Sequence, residues 1–237
     1  MLITSKAIVL NAIKYGDYDL IVKCYTEEGI RSYLVKRIFK ASKGKLTPAF
    51  FQPLTQLEIT ANYNDNRTLH FIKEAKISTP YTTNHNNIIK QTMVVFLSEM
   101  LSNALKEEEE NPSLFRYLET AFQWLDSHSN ASNFHLVFLI NLTKYLGFYP
   151  EKGDQFLYFD LIEGKFTNHL VSNLYISGKN LDYFKTLLGT NFDRLYELKL
   201  NKTNRQDLLE ILIQFFELHL PGFKKPKSLE VLKAVFN

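Results

Sequence analysis

The sequence contains very little cysteine and no long apolar run. Its 237 residues include one cysteine, Cys24, which excludes an intramolecular disulfide and a multi-cysteine zinc site. No uninterrupted apolar stretch approaches the roughly 20 residues that are needed to cross a bilayer. The N-terminal stretch lacks the layout of a secretory signal, because its apolar run is short and leads into charged residues instead of a cleavage site. We therefore expect a cytoplasmic protein.

The motifs that identify common enzymes are also missing. There is no phosphate-binding P-loop, no GxGxxG after a strand, no HExxH and no GxSxG. Asp17 and Asp19 form a carboxylate pair, but they follow Gly16 in a segment where Asp typically accepts backbone N–H groups of a turn. The histidines are scattered, and His135 lies in an apolar stretch that is more typical of a core residue than of a ligand. We expect a protein without catalytic activity.

Acidic residues are absent from residues 31–45, which contain six basic residues with two aromatic ones among them. The basic residues of this run are Arg31, Lys36, Arg37, Lys40, Lys43 and Lys45, and the aromatic ones are Tyr33 and Phe39. Cations bind phosphates and aromatic rings stack on unpaired bases, so this run predicts a single-stranded nucleic-acid site. The alternative is an edge strand that carries lysines as protection against aggregation.

The positive charge is concentrated at one end of the chain. Residues 1–80 contain 12 Lys and Arg against 7 Asp and Glu, whereas the remainder contains 16 against 18. A second basic group precedes the final helix and consists of Lys224, Lys225 and Lys227. This secondary patch is a candidate for DNA or for an acidic peptide, although lysines before a helix are usually only solvated.

The N-terminal third has the pattern of a small β-barrel. Five strands are expected within residues 3–13, 20–26, 30–36, 54–63 and 67–77, with a hairpin turn at Glu27-Glu28-Gly29. Five short strands with a long connection between the third and the fourth fit an OB-fold, which exposes loops for a ligand.

Helical periodicity begins after Pro80. Helices are expected from Asn87, from Pro112, over 134–146, over 180–188, over 204–218 and at the C-terminus. The segment 148–176 breaks this pattern and predicts a short β-hairpin that turns at Glu163-Gly164. The fold class is therefore α+β, with an OB-fold domain at 1–80 and an α-helical domain at 81–237.

Several segments together resemble a known family. The matching segments are 7–10, 15–19, 26–29, 36–45 and 52–58 in the β part, and Tyr145-Leu146-Gly147-Phe148-Tyr149-Pro150 and 219–229 in the helical part. Their order and spacing are similar to those of the bacterial recombination mediator family RecO. Many members carry four zinc-binding cysteines after the Leu-Gly-x-x-Pro segment, but here residues 151–166 contain no cysteine, so no zinc or other cofactor is expected. Packing of Phe156, Tyr158, Phe159 and Phe166 is expected to replace the metal.

The resemblance implies a role in DNA repair, in proximity to the nucleoid. Such proteins bind single- and double-stranded DNA, anneal complementary strands and, with the partner RecR, help load RecA onto strands covered by single-strand-binding protein. The basic run would contact DNA, while the helical domain would dock partners, including the acidic tail of single-strand-binding protein. Two alternatives remain open, namely an RNA-binding OB module and a structural adaptor that does not bind nucleic acid.

Overall fold

The computed structural model describes residues 1–40, 46–63, 68–105, 110–151, 153, 155–169 and 172–236. The chain consists of two compact units. The first comprises Met1–Ser127 and Pro226–Ser228, and the second comprises His128–Lys225 and Leu229–Asn237. A domain boundary at 80/81 stays a prediction.

The first unit begins with five strands that form a closed barrel in the order β1-β2-β3-β5-β4. These strands are β1 (Leu2–Tyr15), β2 (Asp19–Thr26), β3 (Gly29–Val35), β4 (Gln56–Asn62) and β5 (Leu69–Thr79). A 3₁₀ helix, Pro48–Phe51, lies between β3 and β4. The expected five-stranded OB-like barrel is confirmed.

The barrel closes through two different kinds of strand pairing. β1 pairs antiparallel with both β2 and β4, and long ladders result. β3 and β5 run parallel and pair over only three positions, from Ser32↔Leu69 to Leu34↔Phe71. Alternate side chains fill the interior, among them Val9, Val22 and Ile59, none of which exposes any surface.

Two helices complete the first unit, α1 (Ile88–Ala104) and α2 (Pro112–Ser127). The Asn87 side chain caps α1 by accepting the N–H groups of Ile89 and Lys90. Pro112 is the first residue of α2, where its missing N–H costs nothing. Tyr25 of β2 packs against Phe115 of α2, with 6.1 Å between the ring centroids.

One carboxylate holds the segment between the barrel and α1. Asp126 at the end of α2 accepts the backbone N–H groups of Thr82 at 2.9 Å and of Thr83 and Asn84 at 2.8 Å each. Partial burial opposes the ionised form, but the hydrogen bonds from Thr82, Thr83 and Asn84 outweigh it and lower the pKa of Asp126 to about 2. We call this arrangement the Asp126 clasp.

The second unit is helical with a small sheet. Its helices are α3 (Phe134–Tyr145), α4 (Gly178–Leu188), α5 (Lys202–His219) and α6 (Leu229–Val235), with a 3₁₀ segment at Phe192–Glu197. α3 is buried on nearly all sides, as its almost uniformly apolar sequence predicts. His135 in α3 is 1% exposed, and burial together with the nearby Arg205 charge lowers its pKa to about 3, so the imidazole is neutral.

The expected β-hairpin is present and belongs to a three-stranded sheet. β6 (Tyr158–Asp160) and β7 (Lys165–Thr167) form the hairpin, and β8 (Tyr175–Ser177) adds to the other edge of β6. Phe159 is fully buried, with its ring centroid 4.9 Å from that of Phe166 and 4.8 Å from that of Phe184. Aromatic packing therefore fills the middle of this sheet.

Among the described residues, no helix has the length and apolarity that a membrane span requires.

Candidate nucleic-acid interface

The basic turn after β3 projects three cations into solvent. Lys36, Arg37 and Lys40 are all exposed. Arg37 has a φ of +56°, a left-handed conformation that lets the chain reverse direction directly after the strand. Its N–H donates to Asp19 Oδ1 at 2.7 Å, and the Lys40 N–H donates to the Arg37 carbonyl at 3.1 Å. The Asp19 carboxylate, at the start of β2, therefore orders the turn after β3 and not the turn at Gly16.

Phe39 connects this turn to the tip of the β1–β2 hairpin. Its N–H donates to the Tyr18 carbonyl at 3.0 Å, and its side chain is 39% exposed. Lys14 Nζ lies 5.7 Å from the Phe39 ring centroid. The turn and the hairpin tip thus form one surface with positive charge and an accessible aromatic ring.

Lys43 and Lys45 lie outside the described residues, so their part in this surface stays a prediction.

Tyr33 does not lie on this surface. Its side chain is fully buried in the barrel, and its hydroxyl shares a 2.5 Å hydrogen bond with that of Tyr63. Burial, reinforced by that hydrogen bond, raises the pKa of the Tyr33 hydroxyl. No face of the ring is open to a base, because Tyr33 and Val22 are register partners whose side chains both point into the barrel. We therefore remove Tyr33 from the candidate interface.

Arg31 lies at the other end of β3, about 17 Å along the strand from Lys36 at ~3.3 Å per residue. Its guanidinium donates to the Ile30 carbonyl at 3.1 Å and lies 3.8 Å from the Glu28 carboxylate. The structure therefore does not bring Arg31 together with Lys36, Arg37 and Lys40.

Several exposed residues of this region lie outside the predicted basic run. Tyr15 is 57% exposed and Tyr18 is 51% exposed, and both flank the turn at Gly16, where φ is +59°. The sequence contains a signal for these residues, because the turn at Gly16 is flanked by two tyrosines and Lys14. Aromatic rings and a positive charge therefore occur together there, as they do in the basic run.

A cleft opens where β3 and β5 diverge beyond their three paired positions. It has a volume of about 450 Å³. Its lining residues are Leu34, Val35, Lys36, Leu46, Asn62, Phe71, Ile72 and Lys73. Lys36 Nζ lies 4.6 Å from the Phe71 ring centroid, and Lys73 is exposed on the β5 side. Two cations and an aromatic ring therefore share one concave site.

The secondary basic patch is partly neutralised within the protein. Lys225 Nζ lies 4.0 Å from the Glu210 carboxylate and 3.9 Å from that of Glu217. Lys224 and Lys227 are exposed. Nearby carboxylates weaken the attraction of Lys225 for a phosphate, so this patch is a weaker candidate than the basic turn.

No group of His, Cys, Asp and Glu side chains in the described part of the chain is arranged to hold a metal ion. Burial raises the pKa of the Cys24 thiol, which is fully enclosed in the barrel core. Asp126, whose carboxylate already accepts three backbone N–H groups, is a weak base. Neither residue has the properties of a catalytic group.

A closed, five-stranded barrel followed by helices places this chain among proteins with an OB-like domain, a class whose members bind oligonucleotides or oligosaccharides. Comparison with known proteins narrows this class. The family model "Recombination protein O N terminal" matches residues 1–81, and "Recombination protein O C terminal" matches residues 85–230. Together they span nearly the whole chain.

Curated relatives agree with this match. A DNA repair protein RecO from Christiangramia forsetii is 50% identical, and one from Flavobacterium psychrophilum is 48% identical. A third, from Bacteroides fragilis, is 36% identical, and in all three cases the match covers 100% of both chains. The chain belongs to the RecO family of DNA repair proteins.

Proposed function

We propose that this chain is a recombination mediator that binds single- and double-stranded DNA without catalysing a reaction. In this role it anneals complementary strands and, together with RecR, helps load RecA onto DNA that is covered by single-strand-binding protein. Membership of the RecO family supports the proposed role in DNA repair by recombination. The observation that carries DNA binding is the basic turn, whose cations Lys36, Arg37 and Lys40 project from an ordered backbone.

Phosphate contact explains how these residues would act. Each lysine or arginine that neutralises a phosphate releases a counterion, so binding is tolerant of sequence and weakens as salt rises. The hydrogen bonds from Arg37 to Asp19 and from Phe39 to Tyr18 hold the turn in place, so little conformational entropy is lost on binding. Lys43 and Lys45 extend the same run of the sequence and are included in the proposal.

The helical unit is proposed to dock partner proteins, among them the acidic tail of single-strand-binding protein. The exposed Lys224 of this unit is a candidate for binding such a tail, because the tail carries the opposite charge; Lys227, which is also exposed, belongs to the first unit.

The test of DNA binding is a fluorescence-anisotropy titration of labelled single-stranded and duplex DNA over a series of salt concentrations. We expect log affinity to fall linearly with log salt. Charge reversal at Lys36, Arg37, Lys40 and Lys43 should lower the slope by about one for each phosphate that these cations neutralise in the wild type. The matched control is Lys76→Glu, which reverses an exposed charge on β5 beside Glu58.

The interface is assigned wrongly if the reversed variant, still folded by circular dichroism, binds as the wild type does. Annealing of complementary strands coated with single-strand-binding protein then tests the mediator role. Binding of RNA more tightly than DNA of the same sequence favours the RNA-binding module, and absence of binding to either favours the structural adaptor.

A further inference from the structure

A three-residue segment near the C-terminus belongs to a different unit from the residues on either side of it. Pro226–Ser228 is part of the first unit, whereas Lys225 before it and Leu229 after it are part of the second. Pro226 is buried, and Ser228 is 8% exposed. The chain therefore enters the first unit for three residues and then returns to the second. We call Pro226–Ser228 the C-terminal strap.

A carboxylate of the first unit holds the C-terminal strap. Glu99 Oε2 on α1 accepts the Ser228 N–H at 3.0 Å and the Ser228 hydroxyl at 2.8 Å. Hydrogen bonds to a charged acceptor are roughly twice as strong as neutral ones. The ring of Pro226 fixes its φ, so the strap loses less conformational entropy when it is bound. Both effects favour a strap that is closed on Glu99.

Glu99 lies next to a residue that binds the barrel. The Ser98 hydroxyl donates to the Leu10 carbonyl of β1. Leu10 is the extra residue of a β-bulge, because the register between β1 and β2 passes from Val9 to Asn11 without it. Successive residues of a helix project in different directions. The same turn of α1 therefore bonds the bulge through Ser98 and the strap through Glu99.

The residues that flank the C-terminal strap have their own contacts in the second unit. Lys225 Nζ lies 3.9 Å from the Glu217 carboxylate and 4.0 Å from that of Glu210, and Lys233 also pairs with Glu210. Leu229 is 2% exposed. Because both flanks are held in this way, the strap can leave Glu99 without unfolding α6.

We propose that the C-terminal strap is a conformational device that opens and closes on the first unit, and that its closure stabilises the β1 bulge through α1. When Ser228 leaves Glu99, this turn of α1 loses two hydrogen bonds and opens more often, and the bond from Ser98 to Leu10 breaks with it. The inference goes beyond DNA binding and can be tested without DNA. It also connects the secondary basic patch to the barrel, because Lys227 lies within the strap.

Hydrogen–deuterium exchange of the full chain, measured by mass spectrometry, tests the device. Glu99→Ala removes the acceptor of both bonds from Ser228, whereas Ser228→Ala removes the hydroxyl and keeps the backbone N–H. Glu217→Ala is the matched control, because it is the same substitution and removes a surface ion pair of the flanking Lys225. Exchange is compared in peptides that cover the strap, the β1 bulge and the β6–β7 hairpin.

We expect exchange in the strap to become about tenfold faster in Glu99→Ala, and to increase less in Ser228→Ala because one of the two bonds remains. Peptides that cover residues 9–12 should exchange faster in the same order. The β6–β7 hairpin, which belongs to the second unit, should exchange as in the wild type. The Glu217→Ala control should match the wild type in all three regions.

Faster exchange in the strap without any change at the β1 bulge would overturn the device, because the strap would then open without an effect on the barrel. Unchanged exchange in both regions, or an equal increase in all three, would overturn it as well. If Glu99→Ala does not fold, Ser228→Ala decides alone, since it removes a single hydroxyl, and it must still increase exchange in both the strap and the bulge.

Discussion

At the scale of single residues, the Asp126 clasp makes a contribution to stability that can be measured. Its carboxylate accepts three consecutive backbone N–H groups between the barrel and α1. Hydrogen bonds to a charged group are worth about 1.5–3 kcal/mol each, but the site is partly exposed, so water can take the place of the carboxylate in Asp126→Ala. We therefore expect a loss of roughly 2–4 kcal/mol in the free energy of unfolding, less than the sum of three such bonds. Urea denaturation at neutral pH measures this loss.

The pH dependence of the same clasp has a defined sign. The folded-state pKa of Asp126 is about 2, below its ordinary value of 3.8, so its contribution is complete above about pH 5 and is lost as the pH falls through 3.8 toward 2. Asp126→Asn should therefore flatten the acid limb of the stability curve. Asp182→Asn, a change at an exposed position on α4, is the control and should leave that limb as in the wild type.

At the scale of elements, the small sheet of the second unit is held by an aromatic cluster. The Phe159 ring lies 4.8 Å from Phe184 and 5.7 Å from Phe215, measured between centroids. Phe159→Ala should lower the free energy of unfolding by roughly 3–5 kcal/mol, because it leaves a cavity among buried rings. Phe156→Ala, at a position that is 39% exposed, should cost much less. Thermal unfolding of both variants measures this difference in stability. Equal melting temperatures would contradict a structural role for the cluster.

Some strands of the fold could be predicted from the sequence, and some strand pairings could not. The five barrel strands and the hairpin at β6–β7 follow from alternation and turn residues, which are local signals. The β3–β5 pairing and the short strand β8 depend on pairing between segments distant in the chain, so no local pattern reveals them. The burial of Tyr33 does not follow from the sequence, because β3 carries apolar residues on both faces, with Ile30 and Leu34 outward and Tyr33 and Val35 inward. Alternation alone cannot tell which face is the core.

At the scale of the whole molecule, the composition predicts independence from metal. A chain with one cysteine, buried in the barrel, lacks the thiolates that hold a structural zinc ion. Treatment of the purified protein with a chelator should therefore leave the melting temperature and the affinity for DNA unchanged. Metal analysis of the untreated protein supplies the control, and a stoichiometric metal content with a lower melting temperature after chelation would show that other ligands hold an ion.

The short parallel pairing of β3 with β5 has a consequence for energetics. We call this pairing the seam of the barrel, because it has three register pairs, whereas each of the other four strand pairings has seven or more. Local opening is cheapest where the fewest hydrogen bonds must break. A ligand in the cleft that β3 and β5 residues line would contact both sides of this seam, so its binding would stabilise the closed barrel over the opened one. Ligand binding at the cleft and opening of the β3–β5 pairing are then thermodynamically linked, so a measurement of either one reports on the other.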